Sequence, residues 1–114
     1  KEVWNKNFKA VWHLELTGGT GAIKDSTSNE NDGTDGGDPT LRATGKTGRA
    51  IHFDGENDCI IIPGDSSLHL GSGLTIEAWI NIDTWVDLKD IVFNGGGNEF
   101  DSDYQFTLVD SGLA

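Results

Sequence analysis

Apolar residues recur along this chain in short runs of period two, separated by clusters of Gly, Asp, Asn, Ser and Thr. That is the pattern of many strands joined by turns, with helix nearly absent. In Ala10 to Leu16, Trp12, Leu14 and Leu16 share one face while Val11, His13 and Glu15 share the other, which predicts a half-buried strand. Residues 17–48 are polar and glycine-rich, with Ile23 and Leu41 as their only large aliphatics, and read as long loops holding at most a short strand. Loops of that length inside a compact domain are usually functional or pinned by an ion. Arg49 to Asp54 resumes the alternation with Ile51 and Phe53 inward, Gly55 fits a turn, and Cys59 to Ile62 turns Ile60 and Ile62 inward before Pro63 stops the strand. The clearest alternation runs from Leu74 to Ile82, with Leu74, Ile76, Ala78, Ile80 and Ile82 in one row and Thr75, Glu77, Trp79 and Asn81 in the other. Asp90 to Asn94 and Asp103 to Val109, separated by Gly95-Gly96-Gly97, complete the set. Six or seven antiparallel strands with one wet face predict an all-β sandwich or jelly roll. Its core should hold Ile51, Phe53, Ile60, Ile62, Ile76, Ala78 and Ile80.

At 114 residues the chain has the size of one domain. It contains no methionine and begins at Lys1, from which we expect a piece of a longer precursor. Eight basic against nineteen acidic side chains leave a formal charge of −11, which repels nucleic-acid backbones and anionic lipid. Neither is expected as a partner. Cys59 is the sole cysteine, so no internal disulfide and no paired-cysteine metal or redox site can form. No run of about eighteen apolar residues suited to spanning a bilayer occurs, and no basic-then-apolar leader is present.

Four ordered blocks carry a family resemblance: Val11-Trp12-His13-Leu14; Lys24 to Gly33; Gly48 to Gly55 with Asp58 to Pro63; and Leu74 to Ile80. Together they resemble the laminin-G-like, concanavalin-A-like domains common in secreted bacterial and archaeal proteins. The resemblance implies an antiparallel β-sandwich over residues 10–114, with 1–9 as a junction to a preceding domain, in an extracellular or cell-surface protein. It also implies that the family's later strands are missing after Ala114. Open sheet edges, together with an outward apolar pair at Cys59 and Ile61, then predict a homo-oligomer.

In similar domains a calcium ion ties the early loop to the turn after the Phe-Asp-Gly strand. The matching positions here are Asp25, Asn31, Asp54, Asn57 and Asp58, set against the alternative of a solvated acidic loop. Calcium needs six to eight oxygens, and neither an EF-hand register nor a glycine-rich calcium repeat fits the segment. Trp79 and Trp85, with Glu77 and Asn81 beside them, offer the flat apolar and polar contacts that suit a sugar ring. Against that stands the burial expected of so large an aromatic as Trp79. Glu99, Asp101 and Asp103 would share one face as an acid and nucleophile pair, yet the segment lacks a second glutamate and an apolar strand context. His13, His52 and His69 are scattered, with His13 and His52 outward, and suggest no zinc triad. The function expected is a non-catalytic carbohydrate-binding or adhesion module with a glycan or extracellular protein as partner. The alternatives are a structural or assembly module and, last, a β-glucan hydrolase.

Overall fold

A computed structural model describes residues 3–15, 22–85, 89–95 and 102–109. Among them seven short strands follow one another: β1 (Ala22–Ile23), β2 (Gly33–Gly36), β3 (Thr40–Thr44), β4 (Arg49–His52), β5 (Cys59–Ile61), β6 (Lys89–Gly95) and β7 (Ser102–Leu108). Every strand pairing is antiparallel. A single 3₁₀ turn, Ser66–Leu68, is the only helical element among the described residues. The chain is therefore β-rich and built of small antiparallel sheets. It divides into two compact units, Lys1–Leu68 and His69–Ala114.

In the first unit β1, β2 and β5 form one sheet in that order, and β3 and β4 form a hairpin. Three of these strands lie within residues 17–48, where the composition predicts loop. The glycines that suggest a loop are strand positions in β2. A Cβ on Gly36 would stand 2.7 Å from Cys59 Sγ, and one on Gly33 would stand 2.9 Å from Ile60 Cγ2. Side chains of β5 thus lie across the glycines of β2 and fill the space a side chain would need, so glycine here marks close approach within a sheet. Gly48 and Gly55 have φ of +79° and +81° and make the turns after β3 and β4.

The core of this unit is Ile23, 2 % exposed, with Ile51, 9 % exposed. Trp12, Leu14, Leu41 and Ile60 pack against them. Ile23 and Ile60 come from the three-stranded sheet, Leu41 and Ile51 from the hairpin, and Trp12 and Leu14 from the N-terminal segment. Alternation thus places Trp12, Leu14, Ile51 and Ile60 inward as expected. Phe53 departs from it and is 40 % exposed, because β4 ends at His52 and the chain enters a turn that no longer holds the strand's facing. Residues 10–15 do not form the predicted strand either. They make one isolated bridge, Trp12 to Asp25, and Leu14 has a positive φ that interrupts an extended run.

In the second unit β6 and β7 pair from Lys89↔Leu108 to Gly95↔Ser102, close to the predicted runs. Gly96 and Gly97 lie outside the described residues. Leu74–Ile82, the strongest alternation in the sequence, is not a strand. No strand pairs with it among the described residues, Ile76 is half-buried, and Ala78 and Ile80 are exposed. Alternation specifies two faces, but a strand also needs a neighbour for its N–H and C=O groups, and here none is supplied.

Candidate functional site

The acidic loop after β1 is organised around one buried carboxylate. Asp25 Oδ1 accepts hydrogen bonds from the Val11 N–H (2.9 Å) and the Thr27 N–H (2.9 Å). Its Oδ2 accepts from the Thr27 hydroxyl (2.8 Å) and the Asn31 N–H (3.0 Å). A carboxylate offers about four lone-pair positions, and these donors occupy all of them. Burial pushes the Asp25 carboxyl up, but the N–H groups of Val11 and Thr27, the Thr27 hydroxyl and the Asn31 N–H outweigh it and hold the group below its ordinary range.

Asn31, also buried, extends the network. Its Nδ2 donates to the Lys9 carbonyl (3.0 Å) and to Ser67 Oγ (2.9 Å), while its backbone carbonyl accepts from Trp12 Nε1 (2.8 Å). Asn29 Nδ2 also reaches the Lys9 carbonyl (2.9 Å), and Asp32 Oδ1 accepts the Asp25 N–H (2.9 Å). Lys24 pairs with Asp32, which raises the lysine pKa and, with the Asp25 N–H, lowers that of the aspartate. The loop that reads as a cation site from its residue types therefore acts as a clamp on residues 9–12. Thr27 and Ser67 belong to this clamp, and the sequence reading does not single them out. An Asp-x-Thr turn is the local signal that marks Thr27.

Asp58 forms a second, smaller clamp. Its Oδ1 accepts the Asp38 N–H (2.9 Å) and its Oδ2 the Asp54 N–H (2.9 Å), which hold its carboxyl below the ordinary range. Asp54 Oδ1 accepts the Glu56 N–H (2.8 Å), and Asn57 is exposed. Four of the five expected calcium ligands are thus distributed over two hydrogen-bond systems, Asp25 with Asn31 and Asp54 with Asp58, and the fifth, Asn57, lies in the exposed turn beside the second. No group of three His, Cys, Asp or Glu side chains suited to a metal is gathered among the described residues. Asp25 has no oxygen lone pair left to offer, whereas Asp54, Asn57 and Asp58 keep open oxygens.

Trp79 is 89 % exposed, against the burial expected of its size. Glu77 and Asn81 are exposed on either side of it, and Trp85 is 49 % exposed. Asn81 Nδ2 lies 3.4 Å from Asp83 Oδ1, a long contact that leaves its amide available. His13, His52 and His69 are exposed and remain scattered along the chain, as expected. Glu99 and Asp101 lie outside the described residues. Asp103 falls within β7.

No family model, curated protein or solved structure matches this chain. Among the described residues no helix is long and apolar enough to cross a membrane.

Proposed function

We propose that this chain is a non-catalytic carbohydrate-binding module of the laminin-G-like, concanavalin-A-like type, acting within an extracellular or cell-surface protein. The observation that carries the proposal is Trp79, a tryptophan presented almost entirely to solvent between exposed Glu77 and Asn81. Such a side chain has roughly 150–250 Å² to bury, a large surface to leave in water. Its face suits the apolar face of a sugar ring, and the flanking carboxylate and amide can bond the ring hydroxyls. A sandwich architecture is supported by the core of the first unit, which draws Ile23 and Ile60 from one sheet and Leu41 and Ile51 from the other. A structural calcium remains part of the proposal only at the Asp54, Asn57 and Asp58 turn.

A glycan array with Trp79→Ala as its control tests this function. The expected result is retention of a defined set of glycans by the native chain and loss of that set by the variant. Identical profiles for the two proteins overturn the role of Trp79.

A second reading, assembly through protein contacts, is favoured by a different observation. Ile61, Leu74, Ile80 and Ile82 are exposed apolar side chains, and Cys59 is exposed beside Ile61. Light scattering at micromolar concentration under reductant should then report a dimer or larger species. A monomer refutes it.

A further inference from the structure

The chain has two arginines, Arg42 and Arg49, and the β3–β4 hairpin brings both to one pocket. It is an open surface hollow of about 390 Å³ lined by Glu15, Arg42, Ala43, Thr44, Gly48 and Arg49.

Three observations describe the chain at this hollow. The β3–β4 ladder shifts register between Thr40 and Ala43, and Arg42 sits in that irregularity with φ +65°, a left-handed conformation uncommon outside glycine. Gly48 has φ +79°, and a Cβ there would stand 2.7 Å from Glu15 Oε1, so the Glu15 carboxylate rests directly against the turn. Among the described residues, neither guanidinium is within salt-bridge distance of a carboxylate, although the chain carries nineteen acids. Arg49 Nη1 instead makes a long contact, 3.4 Å, to the Arg42 carbonyl.

We propose that Arg42 and Arg49 form a subsite for the anionic group of an acidic saccharide, with Glu15 accepting hydrogen bonds from its hydroxyls. The proposal rests on the carbohydrate-binding function above but is carried by residues of the first unit, whereas Trp79 belongs to the second. A planar guanidinium matches a carboxylate or sulfate oxygen pair through parallel N–H donors, and two of them fix its orientation. The strongly acidic remainder of the chain repels anions, so an anionic sugar would be attracted at this pocket and discouraged elsewhere. Glu15 in the same pocket excludes a second anionic group close to the first and favours a ligand whose other polar atoms are donors. Uronate carboxylates and sulfate esters share this chemistry.

The test is calorimetric and NMR titration of the native chain, Arg42→Gln, Arg49→Gln and Trp79→Ala with a uronate-bearing oligosaccharide, its neutral analogue and a sulfated analogue. Inorganic sulfate serves as a free-ion control. Both arginines are exposed, so the Gln variants should fold, and their melting curves verify this. The expected result is that the uronate or the sulfated sugar binds more tightly than the neutral one and shifts the amides of Ala43, Thr44 and Gly48. Each Gln substitution should then weaken that binding by about tenfold or more, as loss of charge-assisted hydrogen bonds does, and added salt should weaken it as well. Which of the two acidic sugars binds identifies the anion. Equal affinity for acidic and neutral sugars, or acidic binding untouched by both Gln variants, overturns the subsite while leaving the sugar-binding function standing wherever Trp79→Ala abolishes it. Inorganic sulfate binding as tightly as the sulfated sugar overturns the saccharide as ligand. Absence of binding by every sugar overturns both proposals.

Discussion

Replacing Asp25 separates a structural clamp from a ligand-binding carboxylate. In Asp25→Ala the N–H groups of Val11, Thr27 and Asn31 and the Thr27 hydroxyl lose their acceptor together. Hydrogen bonds to a charged group are each worth ~1.5–3 kcal/mol net, and a buried donor left unpaired costs ~1–3 kcal/mol. These costs do not add, because water entering the vacated space can satisfy some of the donors. A loss of about 3–5 kcal/mol is expected, against the ~5–15 kcal/mol that a domain of this size has in total. Asp25→Asn is the sharper probe. Its carbonyl can keep the Val11 and Thr27 N–H groups, and the Thr27 hydroxyl can turn to accept, but the amide would face the Asn31 N–H donor to donor. We expect about 1–3 kcal/mol for that variant. Urea unfolding followed by tryptophan fluorescence measures both. A loss below about 1 kcal/mol in Asp25→Ala refutes the clamp, since it is smaller than one unpaired buried donor. The pH dependence carries a sign as well. The folded-state pKa of Asp25 lies below the ordinary aspartate value of 3.8, so its contribution is present above that value and is lost as pH falls through the folded pKa. The native chain should lose stability in acid along a limb that Asp25→Ala flattens.

The remaining expectations follow from single positions. Ile23→Ala should cost about 2–5 kcal/mol in urea unfolding, and Phe53→Ala distinctly less than the ~3–5 kcal/mol of a buried Phe, because Phe53 is half in water; equal losses would contradict a core centred on Ile23 and Ile51. Gly37→Ala should cost more than about 2 kcal/mol, since φ is +76° and a Cβ would meet the Asn57 carbonyl at 2.6 Å and Asp58 Cα at 2.8 Å. Gly55→Ala, with φ +81° and open space around it, should show only the ~1–2 kcal/mol conformational cost, and the difference in melting temperature between the two variants tests the collision. Millimolar calcium in place of chelator should raise the melting temperature if the Asp54 to Asp58 turn holds the ion, and Asp54→Ala should remove the rise; equal melting temperatures exclude it.

Composition and alternation determined much about this chain on their own. Glycine-punctuated short apolar runs and the lack of helical periodicity specify a β-rich chain, and period two located β4 to β7 within a few residues and placed Trp12, Leu14, Ile51 and Ile60 inward. Gly55 marked its turn, because positive φ is a local demand that one residue type answers. The role of the Asp25 loop was not local. Its residue types drew attention, but the donors that occupy Asp25 come partly from Val11, and the acceptors of the Asn31 amide belong to Lys9 and Ser67, partners far along the chain. The strand character of Gly33–Gly36 depended in the same way on β5 side chains lying across it. Leu74–Ile82 shows the converse, since perfect alternation there has no neighbouring strand among the described residues. A side-chain pattern states which face can be buried, whereas pairing, clamping and exposure are decided by which distant backbone groups arrive to complete the hydrogen bonds.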